Sequence, residues 1–208
     1  MGAGISAEDR MKRQKLGNEL RTMQHSLHVT ASSHYISSGY YRMWDTRLQY
    51  ASLFTGTFGA AASVVAKLDW KVLVTNNPRL APFLVATSTT SLLFTAIVNI
   101  PQIQNAPSNL YQAHFKSGIE CQYLEKQVKF ISETEVWDSK VAWETLAAKY
   151  EKLLRDKKEV NNRIQSEFWA YRKALKKIEE RETEKKTKQS AEAESAATDK
   201  SKLSLEER

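Results

Sequence analysis

The side chains best equipped for chemistry in this chain are four histidines, His25, His28, His34 and His114, and a single cysteine, Cys121. His25 and His28 stand three residues apart and share a helix face, but no cysteine or acid at metal-ligand spacing joins them, so no metal site is expected. One cysteine leaves no internal disulfide to form, and its place in a helical pattern predicts a reduced thiol. The sequence holds no glycine-rich phosphate loop, no Ser/His/Asp arrangement and no paired carboxylates in an apolar setting. The expectation is a protein that is not an enzyme and takes no cofactor.

A second candidate for chemistry is the N-terminus, MGAGIS. Gly2 with Ser6 fits the M-G-x-x-x-[ST] signal for N-myristoylation, which needs a free glycine and a hydroxyl at that spacing. Arg10, Lys12, Arg13 and Lys15 would add attraction to anionic headgroups. Ser6 has another use open to it: capping a helix, with Asp9 three residues on as an imperfect capping box.

The third is a polar stripe inside an otherwise apolar segment, LAPFLVATSTTSLLFTAIVNI, residues 80–100. On a helix Ser88, Ser91, Thr95 and Asn99 fall at i, i+3, i+7 and i+11 and line one face. Hydroxyls and amides inside a membrane point inward or at a water-filled cavity. They would either bond across to other helices as packing glue or line a pore, and a pore requires an oligomer because two helices cannot enclose one.

These groups need elements to hold them. Residues 48–66 and 80–100 carry no charge and are long enough for a hydrocarbon core of about 30 Å, so they are expected as two transmembrane helices joined by the loop 67–79. The competing reading is a soluble bundle with two buried helices, although such helices normally keep a charged outer face. Ser52, Gly56 and Ala60 recur every four residues in the first segment and would let two backbones approach closely. Tyr40, Tyr41, Trp44 and Tyr50 suit the headgroup zone, and Arg42 and Arg47 can snorkel. No cleavable signal peptide is expected, because the first 47 residues have no apolar run. Lysine and arginine near the spans balance on the two sides, so both termini are placed in the cytosol by the difficulty of translocating their charged segments. The net charge of +7 is spread along the chain rather than gathered on one face, which speaks against nucleic-acid binding.

Outside the spans the pattern is helical. Leu16, Leu20, Met23 and Leu27 give the N-terminal segment, residues 1–47, a narrow apolar stripe. Residues 101–183 read as a cytosolic helical hairpin or coiled coil. Its first helix carries a seam of His114, Ser117, Cys121, Leu124, Val128 and Ile131, and SETE at 132–135 breaks it, with Thr134 as a candidate cap for the next helix. A longer helix follows with Trp143, Leu146, Tyr150, Leu153, Lys157, Val160 and Ile164, then Phe168, Tyr171, Leu175 and Ile178. The doubled four-residue step at Ile164–Phe168 is a stutter, and Lys157 in the seam marks a kink or a partner acid. Residues 184–208 lack large apolar side chains almost entirely and are expected to be a disordered tail. The predicted fold is an all-α membrane protein, a two-helix transmembrane hairpin with long cytosolic helices at both ends.

The layout, with His34-Tyr35 ahead of two spans and then His114, Gly118 four later and Leu124 ten later, resembles the SLATT family of two-span effector proteins over roughly residues 20–180. Cys121 stands where that pattern has an aromatic, with Tyr123 close by. The resemblance implies a membrane pore of a defence or cell-death system and no catalytic residues. The leading expectation is an oligomeric pore-forming or channel-like effector in a lipid bilayer. The alternative is a myristoylated membrane-anchored scaffold whose long C-terminal helix recruits a cytosolic protein.

Overall fold

The computed structural model describes residues 6–67, 75, 82–83, 86–87, 89–91, 93 and 107–206, with side chains described except at 62–67 and beyond 192. Its elements are α1 (Ala7–Lys67), α2 (Pro107–Phe130), a π-helical turn (Ile131–Glu135), α3 (Trp143–Arg163) and α4 (Phe168–Glu206). Among the described residues there is no strand, so the all-α expectation holds. The chain divides into two compact units, one of Met1–Ser37 with Ala113–Arg208 and one of Ser38–Gln112.

The first unit is a helical bundle whose faces follow the apolar spacing. Leu16, Leu20, Met23, Leu27 and Ala31 of α1 meet Cys121, Leu124 and Val128 of α2 and Leu146, Leu153 and Val160 of α3 in one buried cluster. Val29 turns to the other side of α1 and packs with Ala174 and Ile178 of α4. Helix α1 starts where Ser6 caps it, its Oγ accepting the Asp9 backbone N–H at 3.1 Å. That is the second of the two roles open to Ser6; Gly2 lies outside the described residues.

The breaks between helices have local causes. Past Phe130 the ladder widens by one residue, and the Val136 N–H reaches the Ile131 carbonyl at 3.0 Å. Thr134 does not cap α3 as expected: its hydroxyl bonds back to the Phe130 carbonyl, and the N-cap of α3 is Ala142. At Ile164 the backbone turns extended, with φ −153° and ψ 130°, so the stutter in the apolar spacing is a break between two helices rather than one continuous helix. Lys157 finds a hydroxyl instead of an acid, donating to Ser26 Oγ at 3.1 Å. Helix α4 runs on to Glu206, through residues that the sequence assigns to a disordered tail. Those residues are rich in alanine, glutamate and lysine, which carry helical preference without needing burial.

In the second unit, Tyr40 stacks edge-on with Tyr41 and Trp44, while Arg42 lies over Tyr111 and Arg47 over Trp44 at 6.0 and 5.8 Å. Residues 48–66 form part of α1. Among the described residues, however, no helix is long and apolar enough to cross a membrane. Gln49, Ser52, Thr55, Thr57 and two glycines dilute the leucine, phenylalanine and valine of this stretch. Each described residue of 80–100 is helical, and the rest of the predicted second span lies outside the described residues.

Candidate functional site

Several buried polar groups of the first unit gather on α1 and α2 around two histidines. His34 on α1 and His114 on α2 are fully buried, and their Nδ1 atoms lie 3.0 Å apart with the ring centroids at 5.2 Å. At that distance one ring donates and the other accepts, an arrangement that two neutral rings in opposite tautomers satisfy with a single shared proton. Burial pushes the His34 pKa down to about 4, and the nearby His114 pushes it the same way. Burial also lowers the pKa of His114, against an opposing pull from Glu167 in the link between α3 and α4. His34 Nε2 and Ser37 Oγ are buried without a hydrogen-bond partner, and Ser33 satisfies itself on the Thr30 carbonyl at 2.7 Å.

One residue on, the Tyr35 ring lies against Gly118. A Cβ at Gly118 would stand 3.1 Å from Tyr35 Cε1, closer than nearly all real contacts, so the glycine lets the ring seat against the α2 backbone. Tyr35 also meets Phe115 edge-on at 5.9 Å and donates its hydroxyl to Gln122 Oε1 at 3.1 Å. The next turn of α2 brings Cys121, fully buried, whose thiol is pushed up to about 11 mainly by burial. At that pKa it stays a protonated, small apolar filler. Leu124 completes the set within the main cluster. Thus His34, Tyr35, His114, Gly118 and Leu124, drawn from two stretches 80 residues apart, form one α1–α2 contact.

His28 was paired with His25 only by sequence spacing; in space its Nδ1 meets Glu125 at 3.1 Å. Among the described residues no three His, Cys, Asp or Glu side chains converge as metal ligands.

Arg13 was not expected among the buried groups. Counted from the sequence among headgroup-seeking cations, it is 3% exposed. Its Nη1 donates to the Val136 and Asp138 carbonyls at 3.0 Å each, its Nη2 to the Val141 carbonyl at 2.6 Å, and its Nε to Asp9 Oδ2 at 3.1 Å. The planar fork thereby ties the link between α2 and α3 to the start of α1. Its only local sequence signal is Asp9, one helical turn before it.

In the second unit the small-residue row splits. Ser52 is half-buried, while Gly56 and Ala60 are exposed. The close approach falls instead at Gly59, where a Cβ would touch Ser91 Cβ at 3.4 Å. Ser91, a predicted pore-lining residue, is therefore half-buried against α1. Its companions Ser88, Thr95 and Asn99 lie outside the described residues. Threonine hydroxyls here bond to carbonyls four residues back: Thr55 to Ala51, Thr57 to Leu53, Thr87 to Phe83 and Thr90 to Ala86, at 2.6–2.9 Å. No protein family, no curated protein and no solved structure matches this chain.

Proposed function

We propose that this chain is an oligomeric membrane effector of the pore-forming kind that the SLATT family supplies, with residues 48–66 and 80–100 in the bilayer and the helical bundle outside it in the cytosol. The observation that carries the reading is a bare apolar surface on an uncharged stretch of helix. Tyr50, Leu53, Phe54 and Phe58 are 69%, 66%, 68% and 53% exposed. In water such a patch is costly at about 25 cal/mol per Å² and marks an interaction surface; in lipid it costs nothing. The back-bonded threonines support the same reading, since each satisfies its hydroxyl without water. The hydroxyls that dilute the span make it weakly hydrophobic alone, so it needs neighbouring helices, which an oligomer provides. The α1–α2 contact of His34, Tyr35, His114 and Gly118 supports the resemblance by making its scattered residues one structural element.

A second reading, the membrane-anchored scaffold with a lipidated Gly2, is favoured by the seat of Ser91 on Gly59, which makes Ser91 a packing residue. Substituting Ser88, Ser91, Thr95 and Asn99 with alanine in reconstituted protein separates the two. The pore predicts altered ion flux with the assembly preserved; loss of assembly with no flux at any stage points to glue and the scaffold.

A further inference from the structure

The first unit contains a buried histidine pair that the membrane reading does not use. His34 and His114 face each other across the α1–α2 contact, fully buried, with one proton available between two Nδ1 atoms 3.0 Å apart. The other nitrogen of His34 is buried without a partner, as is Ser37 Oγ one turn later. Among the described residues the ionisable groups acting at the pair are the two histidines, one from α1 and one from α2, and Glu167 from the link that precedes α4. Cys121, further along α2, feels Glu120 and Lys157 instead and remains a neutral thiol.

We propose that the His34–His114 pair is an acid-sensitive latch that holds α2 on α1 when both rings are neutral and releases it on protonation. The stoichiometry of protons sets the behaviour. With one shared proton, Nδ1–H of one ring donates to Nδ1 of the other and the contact is satisfied. A first additional proton makes one ring an imidazolium inside a buried site, and on His34 its Nε2–H has no acceptor. Glu167 offsets part of that charge only on the His114 side. A second additional proton leaves two N–H groups pointing at each other across the same 3.0 Å. Both steps favour an arrangement in which the rings separate and reach water. The separation necessarily disturbs the seat of Tyr35 on Gly118, because Tyr35 follows His34 and Gly118 lies one turn past His114. Burial lowers the pKa of both rings in the closed state, so the closed state binds protons less readily than the open one.

The latch is independent of the membrane reading, since the pair lies wholly in the bundle unit. Hydrogen-exchange mass spectrometry on the full chain in detergent tests it, following peptides that cover 26–38 and 111–124 between pH 7.5 and pH 5 after correction for intrinsic exchange. The expected result is a fall in protection of roughly tenfold to thirtyfold in the wild type. The double variant His34→Asn/His114→Asn, which keeps side-chain amides near both Nδ1 positions but has no ring left to titrate, should change less than about threefold over the same range, while each single variant keeps one titrating ring and should still fall. Flat protection in the wild type, or an equal fall in the double variant, overturns the latch. Should the variants fail to fold at pH 7.5, ring ¹⁵N shifts of histidine-labelled wild type decide. Both rings remaining neutral for as long as the bundle stays closed supports the proposal, and either ring charging in the closed bundle near pH 6.5 refutes it.

Discussion

Replacing Arg13 with alanine removes a guanidinium that holds three carbonyls of the α2–α3 link, at Val136, Asp138 and Val141, together with the Asp9 carboxylate. Hydrogen bonds to a charged group are worth roughly 1.5–3 kcal/mol each, but four on one side chain do not add. Two considerations bring the total down. Asp9 keeps 30% of its side-chain surface and rehydrates easily, and water can enter the space left at the link. Three orphaned carbonyls remain the main loss, about 3 kcal/mol in all, with the Val136 side fully buried. Lysine at the same position places one ammonium where a planar fork reached three acceptors, and should recover about half of that loss. The loss is local, so the assay is hydrogen exchange in residues 136–146 of the full chain at constant pH. Alanine should raise the opening equilibrium about 100-fold and lysine about tenfold. A change under about threefold in Arg13→Ala would refute the structural role given to this residue and return it to the surface cations.

Other consequences follow from the same contacts. Gly118→Ala places a methyl 3.1 Å from the Tyr35 ring and should cost about 1–2 kcal/mol in a denaturant midpoint, a loss that Tyr35→Ala made in the same chain should largely cancel. His34, at about 4 when folded and 6.5 when free, contributes stability that is fully present above pH 6.5 and disappears as pH falls towards 4. The gap is about 3 kcal/mol, and thermal midpoints should decline across that window less steeply in His34→Asn, which keeps only His114, than in the wild type. Ser6→Ala removes the N-cap of α1 and should cost about 1 kcal/mol, read as faster exchange confined to the first turns of α1.

Much of the bundle was legible because burial follows helical periodicity. The stripe Leu16, Leu20, Met23 and Leu27 and the seam His114, Ser117, Cys121, Leu124, Val128 and Ile131 are all buried, as their spacing requires. The break at residues 164–167 was visible as an irregular step, but spacing alone does not distinguish a stutter from an extended residue, and Ile164 takes the second course. Other features had little sequence signal. Arg13 sits between Lys12 and Lys15 and looks like one more surface cation, because its acceptors are backbone carbonyls more than 120 residues away. The histidines were visible one at a time; that two of them meet depends on the register of α1 against α2, which no local pattern encodes. The polar row of the second hydrophobic segment was readable as a row, yet which side it faces depends on its partners, and Ser91 turns to Gly59.

The most direct measurement on the central claim is the number of subunits that the full chain forms in lipid nanodiscs, by native mass or stepwise photobleaching. The pore account predicts a membrane-inserted assembly of at least four copies, the number needed for a polar stripe to surround a lumen. A chain that inserts but stays monomeric or dimeric under every lipid and pH condition tried would contradict it.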